Sequence, residues 1–123
     1  MNYMATSINE SPVIVDKAGA ALADVRGRAV KFDGTGRIVL AGAGEKALGV
    51  GIMTNDTEIK AGEDVHVQIK DIGLVYAGAA ITKGAELEVG ANGALIPVAS
   101  GKPVAIALDA SADAGVYVKA IIL

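Results

Sequence analysis

Cysteine is missing from this 123-residue chain and so is tryptophan, while histidine and phenylalanine occur once each and tyrosine three times. Without thiols there is neither a disulfide framework nor a thiolate metal site, so the fold has to stand on packing alone. With only Tyr3, Phe32, Tyr76 and Tyr117 as aromatic rings, the core must be assembled from Val, Ile, Leu and Ala. The chain also lacks the stacking platforms that bind single-stranded nucleic acid. Charge of one sign is lacking too: 11 basic and 14 acidic residues give a net charge of −3. The scattered cations form no patch that could release counterions from nucleic acid. No apolar run reaches membrane length, and Met1-Asn-Tyr-Met-Ala-Thr-Ser-Ile8 has neither the basic start nor the apolar stretch of a signal peptide. The expectation is a chain made in a cytosol, with no nucleic-acid or membrane partner. There the sequons at Asn9 and Asn55 carry no glycosylation meaning.

What the chain does have is a sentence said twice. Gly19-Ala-Ala-Leu22 is matched by Gly78-Ala-Ala-Ile81, and Gly27-Arg-Ala-Val30 by Gly84-Ala-Glu-Leu87. Lys31-Phe-Asp-Gly-Thr-Gly36 is matched by Glu88-Val-Gly-Ala-Asn-Gly93, Arg37-Ile-Val39 by Ala94-Leu-Ile96, and Lys46 to Ile52 by Lys102 to Leu108. Gly62 to Val67 is matched by Ala114 to Val118, with shorter loops in the second copy. Turns and apolar alternation repeat; reactive side chains do not. The hydrophobic fraction is 52% and 16 residues are glycine, a composition that spreads small apolar groups over surfaces and suits association.

The period is two from Arg28 onward. Strands are expected at 28–33, 37–40, 47–53, 64–70, 73–77, 85–89, 94–98, 103–108 and 116–122, separated by Gly-rich turns. Asp33-Gly34 and Asn92-Gly93 hold similar places in the two copies, and both are hairpin signals. Val65-His-Val-Gln-Ile69 alternates so that the aliphatic residues point inward and His66 and Gln68 outward. The apolar end, Ile121-Ile-Leu123, is expected to be buried. Asp16 to Ala23 is Ala-rich enough for one or two helical turns capped by Asp16, although Gly19 weakens it. Residues 1–15 are non-periodic and interrupted by Pro12, and read as an extended N-terminal arm; Val13-Ile-Val15 is either a docking peg or a first edge strand. The whole is an all-β fold: residues 16–123 form a single β domain, a small barrel or sandwich of short antiparallel strands. Its internal pseudo-duplication covers about 19–69 and 78–122 and suggests halves related by a pseudo-twofold.

Each chemical motif has a plainer reading. Gly42-Ala-Gly-Glu-Lys-Ala47 matches the letters of a dinucleotide fingerprint, with Asp64 about twenty residues on. A helix should follow it, and Leu48-Gly-Val-Gly-Ile52 is strand-like, so it reads as a turn. His66 has no nucleophile placed with it. Asp109, Asp113, Glu63 and Asp64 lack the alternate spacing of a calcium loop. Lys17, Arg26, Arg28, Lys31 and Arg37 make the first copy positive, and Glu86 and Glu88 oppose them in the second. That contrast is either plain solubility or complementary charge at an interface. No catalytic residue, cofactor site or metal site is assigned.

Gly27 to Gly42, read as Gly-x-Ala-Val-Lys-Phe-Asp-x-x-Gly-x-Ile-Val-Leu-Ala-Gly, followed by Lys46-Ala-Leu-Gly-Val50, resembles the capsid cement, or head decoration, proteins of tailed bacteriophages. Ala61 to Val67 and Ile81 to Leu87 continue the resemblance, which covers about residues 16–123. It implies a non-enzymatic structural virion protein, commonly a homotrimer, on the outer surface of an icosahedral head. There it would stabilise the shell by clamping neighbouring major capsid proteins. The contact residues expected on this reading are Tyr3, Met4, Ile8, Val13 and Ile14 in the arm, with Arg26 and Arg28 as a charged rim. The rival is a duplicated carrier module of the biotinyl or lipoyl type. It needs a modifiable lysine at a hairpin tip, and Asp33-Gly34 and Asn92-Gly93 offer none.

Overall fold

A computed structural model describes residues 12–123. Alternation and glycine turns give ten short strands: β1 Val13–Lys17, β2 Ala29–Phe32, β3 Ile38–Leu40, β4 Gly49–Gly51, β5 Asp64–Gln68, β6 Asp71–Tyr76, β7 Glu86–Val89, β8 Leu95–Pro97, β9 Ala105–Ala107 and β10 Tyr117–Ile122. They make two five-stranded antiparallel sheets, ordered β1-β5-β4-β2-β3 and β6-β10-β9-β7-β8. The second order is the first advanced by five strands, so the sequence repetition is a repetition of topology. Neither sheet closes into a barrel; each curls, and one parallel bridge ties its two edges, Ala18 to Ile38 in the first and Ala77 to Leu95 in the second.

The backbone bonds let the halves be matched residue by residue. Ala18 N–H donates to Glu63 O while Gly62 N–H donates back to Ala18 O, and Ala77 makes the same pair with Val116 O and Gly115 N–H. Leu22 exchanges two bonds with Ile59, and Ile81 does so with Ser111. From the registers, Val30 corresponds to Leu87, Val50 to Ile106 and Val65 to Val118. The last strand is thus shifted two residues from the alignment expected, in which Val118 answered Val67.

Each curled sheet encloses aliphatic residues. Leu22, Val25, Val30, Ile38, Ile59, Val65 and Val67 fill the first; Val75, Ile81, Leu87, Val89, Leu95, Val118 and Ile122 fill the second. Val65 and Val67 are buried and His66 is exposed, as the alternation requires. Three residues of the first half, Ala29, Ala41 and Val50, belong to the second half's core. They lie on the outer side of the first sheet and stop the open end of the second.

The expected helical turns at Asp16–Ala23 do not form. Asp16 and Lys17 finish β1, and the amides of Ala18, Gly19 and Leu22 are taken by Glu63, Ile38 and Ile59 carbonyls. Gly19 lies so near Asp33, Arg37 and Val39 that a Cβ would collide there. Long-range pairing has overridden alanine's helical preference. At the other end Ile122 is buried, but Leu123 is 59% exposed, so the apolar terminus is not wholly covered.

The two hairpin signals work differently. Asn92 (φ 54°) and Gly93 (φ 76°) both take the left-handed backbone inside a short 3-10 turn, Ala91–Gly93. In the first copy the positive φ falls on Gly36. Asp33 acts there through its side chain, its Oδ1 accepting from Thr35 N–H, Thr35 Oγ1 and Arg37 N–H. The Thr35 hydroxyl first, then those amides, hold the Asp33 carboxyl below its usual range.

Candidate interaction surface

Tyr3, Met4 and Ile8 lie outside the described residues. Val13 and Ile14 belong to β1, which pairs with β5 over its whole length. Ile14 is half-buried and packs in part on the first half's core.

The arginine pair is engaged within the chain. Asp24, at φ 77°, folds back so that its carboxylate accepts from Arg26 N–H, Nε and Nη2 at 3.1, 2.9 and 3.0 Å. That guanidinium holds the Asp24 carboxyl below its usual value. Arg28 reaches across the seam between the halves. Its guanidinium carbon sits 4.1 Å from the centre of the Tyr76 ring and its Nη1 donates to Asn92 O at 3.0 Å. Tyr76 in turn meets Tyr117 edge-on, ring centres 5.5 Å apart. Such a stack contributes about 1 kcal/mol where partly exposed. Arg28 therefore holds one half to the other.

The charge contrast between the copies also changes meaning. Glu88 is only 6% exposed and its Oε2 accepts the N–H groups of Ala99, Ser100 and Gly101. Those bonds, the Ala99 amide foremost, hold its pKa below normal against the opposing effect of burial. Glu88 is thus a turn clamp, unavailable to a partner. In the first half the matching turn carries its own clamp: Glu45 accepts from Gly42 N–H and pairs with Lys31, the residue at the Glu88 position. Glu86 remains exposed.

The fingerprint-like segment 42–47 is a turn that leads into β4, with no helix after it. Asn55, read above only as part of a sequon, is buried. Its side chain donates to Ile52 O and His66 O and accepts from His66 N–H, pinning the 52–63 loop to β5. Among the described residues no group of three or more His, Cys, Asp or Glu is arranged to hold a metal. A depression of about 530 Å³ beside Leu22 and Ile59 is ringed by Asp56, Glu58, Lys60 and Glu63.

What the molecule does present is an apolar outer row. Register places Ile72, Ile121, Ile106 and Glu86 side by side across β6, β10, β9 and β7, and Val98 continues the row by donating its N–H to Glu86 O. Ile72 is 58% exposed and its neighbour Leu74 42%. Sequence reasoning missed these residues. The available signal was β6 itself, where Ile72 and Leu74 alternate with Gly73 and Val75, so that both faces of the strand carry apolar side chains.

No family model matches this sequence, and no curated protein does. Among solved structures the chain is similar to one described as the head fiber gp8.5 N base in bacteriophage phi29. The TM-score is 0.68 at 18% identity, over 90% of this chain and 92% of that one. The likeness is one of fold, spanning nearly the whole of both chains.

Proposed function

We propose that this chain is a structural bacteriophage virion protein that binds the outer surface of an icosahedral head as a homotrimer. On this reading it stabilises the shell by clamping major capsid subunits. The observation that carries the reading is the end-to-end similarity to the phi29 head fiber base. Its support from chemistry is that the conspicuous polar side chains, Asp24, Arg26, Arg28, Asp33 and Glu88, are spent on turns and on the seam between the halves. What remains outward is apolar sheet and scattered charge, which suits many modest contacts repeated over a lattice. Binding only the assembled shell would stabilise it by mass action. The neighbour's name favours a close variant, in which the domain is the head-bound base of a longer fibre.

Co-sedimentation with expanded heads tests this. The chain should saturate heads and raise their melting temperature, and deletion of residues 1–11 or the triple change Tyr3→Ala, Met4→Ala, Ile8→Ala should weaken binding at least tenfold. Heads that neither bind nor are stabilised by the intact chain would refute the proposal. Equal binding by the arm variants would remove the arm from it.

A further inference from the structure

The two halves do not meet through a shared patch. The first half contributes the outer row Val50, Ala29 and Ala41; the second contributes its open end, at Val89, Gly93 and Tyr76. The contact is close. Gly44 N–H donates to Val89 O at 2.8 Å, Tyr76 N–H to Gly27 O at 2.7 Å, and a Cβ on Gly93 would stand 2.6 Å from Ala29 O. Matched residues show that the arrangement is not the twofold expected from the repeat. Val89 is 1% exposed, whereas its counterpart Phe32 is 44% exposed. Gly93 abuts Ala29, whereas a Cβ on its counterpart Gly36 would meet nothing within 4 Å. A contact between unlike patches is head-to-tail, and it leaves one patch of each kind unmatched.

The unmatched knob is on the second half: Ile106 stands where Val50 does, Glu86 where Ala29 does, and Val98 where Ala41 does. The unmatched mouth is on the first half: Phe32, Gly36 and Lys17 stand where Val89, Gly93 and Tyr76 do. At the covered seam Ala29 faces the Ala91–Gly93 turn, followed by Ala94. At the open surfaces Glu86 replaces Ala29 and Arg37 replaces Ala94, while Lys17 beside it is already paired with Asp64 at 2.6 Å. Glu86 and Arg37 are thus the opposite charges that the two uncovered patches bring together.

We infer that a second copy of this chain fills the mouth, the Ile106–Glu86 row of one molecule docking at Phe32 and Arg37 of the next by repetition of the contact that joins its own halves. Continued from copy to copy, a heterologous contact of this kind builds a ring where its rotation closes and a filament where it does not. The inference rests on the self-association within the proposed function and not on head binding, so it is tested without heads.

The test is the mass of the full chain by light scattering at about 100 μM, where a micromolar contact is saturated. The wild type should be oligomeric. Ile106→Glu and Phe32→Asp should each be monomeric while keeping the wild-type circular dichroism. Mixed one to one, they should form a dimer and nothing larger, because only the mouth of the first variant and the knob of the second are intact. As a check independent of these apolar sites, Glu86→Arg and Arg37→Glu should each weaken assembly about tenfold or more, and the double variant should recover it. A monomeric wild type, variants that assemble like the wild type, or a mixture without dimer would overturn the inference.

Discussion

The first and second halves carry the same strand order, yet one outer row is core and the other is surface. Val50 is 2% exposed and Ala29 fully buried because the second half lies on them. Ile106 is half-buried and Glu86 exposed, with nothing of the described chain placed on them as the second half is placed on Val50. The difference teaches that burial in a duplicated domain is not a property of the repeat. It belongs to the order in which the copies stack. Side chains record that order: small residues, Ala29 and Ala41, occur where the chain's own other half comes close, and Glu86 and Val98 occur where it does not.

The largest expected effect comes from putting the same charge on both rows. Val50→Asp buries an unpaired carboxylate and should cost about 4 kcal/mol or more, enough to unfold a marginal domain. Ile106→Asp in the free monomer should cost about 1 kcal/mol, since water can reach the new group. Urea denaturation of both variants measures the difference; equal losses would mean that the two rows are equally covered. A second asymmetry lies in β4 and β9, where Gly49 and Gly51 correspond to Ala105 and Ala107. A Cβ on Gly51 would collide with the Val25 carbonyl, and one on Gly49 with that of Gln68. Gly51→Ala should therefore cost about 2–3 kcal/mol, against about 1 kcal/mol for the reverse change Ala107→Gly. Equal melting temperatures would show that the crowding at β4 relaxes freely.

The smallest effect separates the two turn clamps. Glu88→Gln should lower the melting temperature by about 5 °C at pH 7, because a neutral amide replaces a charged acceptor of three N–H groups. Glu45→Gln, which gives up only an exposed ion pair with Lys31, should leave it nearly unchanged. The sign of the pH dependence follows from the depressed folded pKa of Glu88. Its stabilisation is complete above the unfolded carboxyl value of about 4.3 and is lost as pH falls through the folded one. The gap between wild type and Glu88→Gln should thus narrow as the pH is lowered below about 4. A gap that persisted in strong acid would show that Glu88 acts through packing.

Much of the fold was legible in residue order. Strands of period two, the Asn92-Gly93 turn and the alternation at Val65 to Ile69 all depend on neighbours a few positions apart, and such rules are local. Asp16 to Ala23 misled because its alanines favour helix only where no better acceptor competes, and the competing carbonyls of Ile38, Ile59 and Glu63 lie far away in sequence. Of the expected contact residues, Arg26 and Arg28 were visible as charge. The stacking of Arg28 on Tyr76 was not, since Tyr76 lies in the other half, and the Asp24–Arg26 pair depends on the positive φ that Asp24 adopts in the folded chain. Glu88 read as surface for the same reason: the amides that justify burying it come from the 99–101 turn.

By itself the sequence determined that this chain is all-β, doubled and built on aliphatic packing without thiols, because periodicity, turn chemistry and composition are written residue by residue. Only the tertiary structure decided that the copies stack head to tail, that Val50 is covered while Ile106 is not, and that Phe32 stands at an open mouth. Equal local patterns allow either outcome, and the choice is made by which distant surface arrives to exclude water.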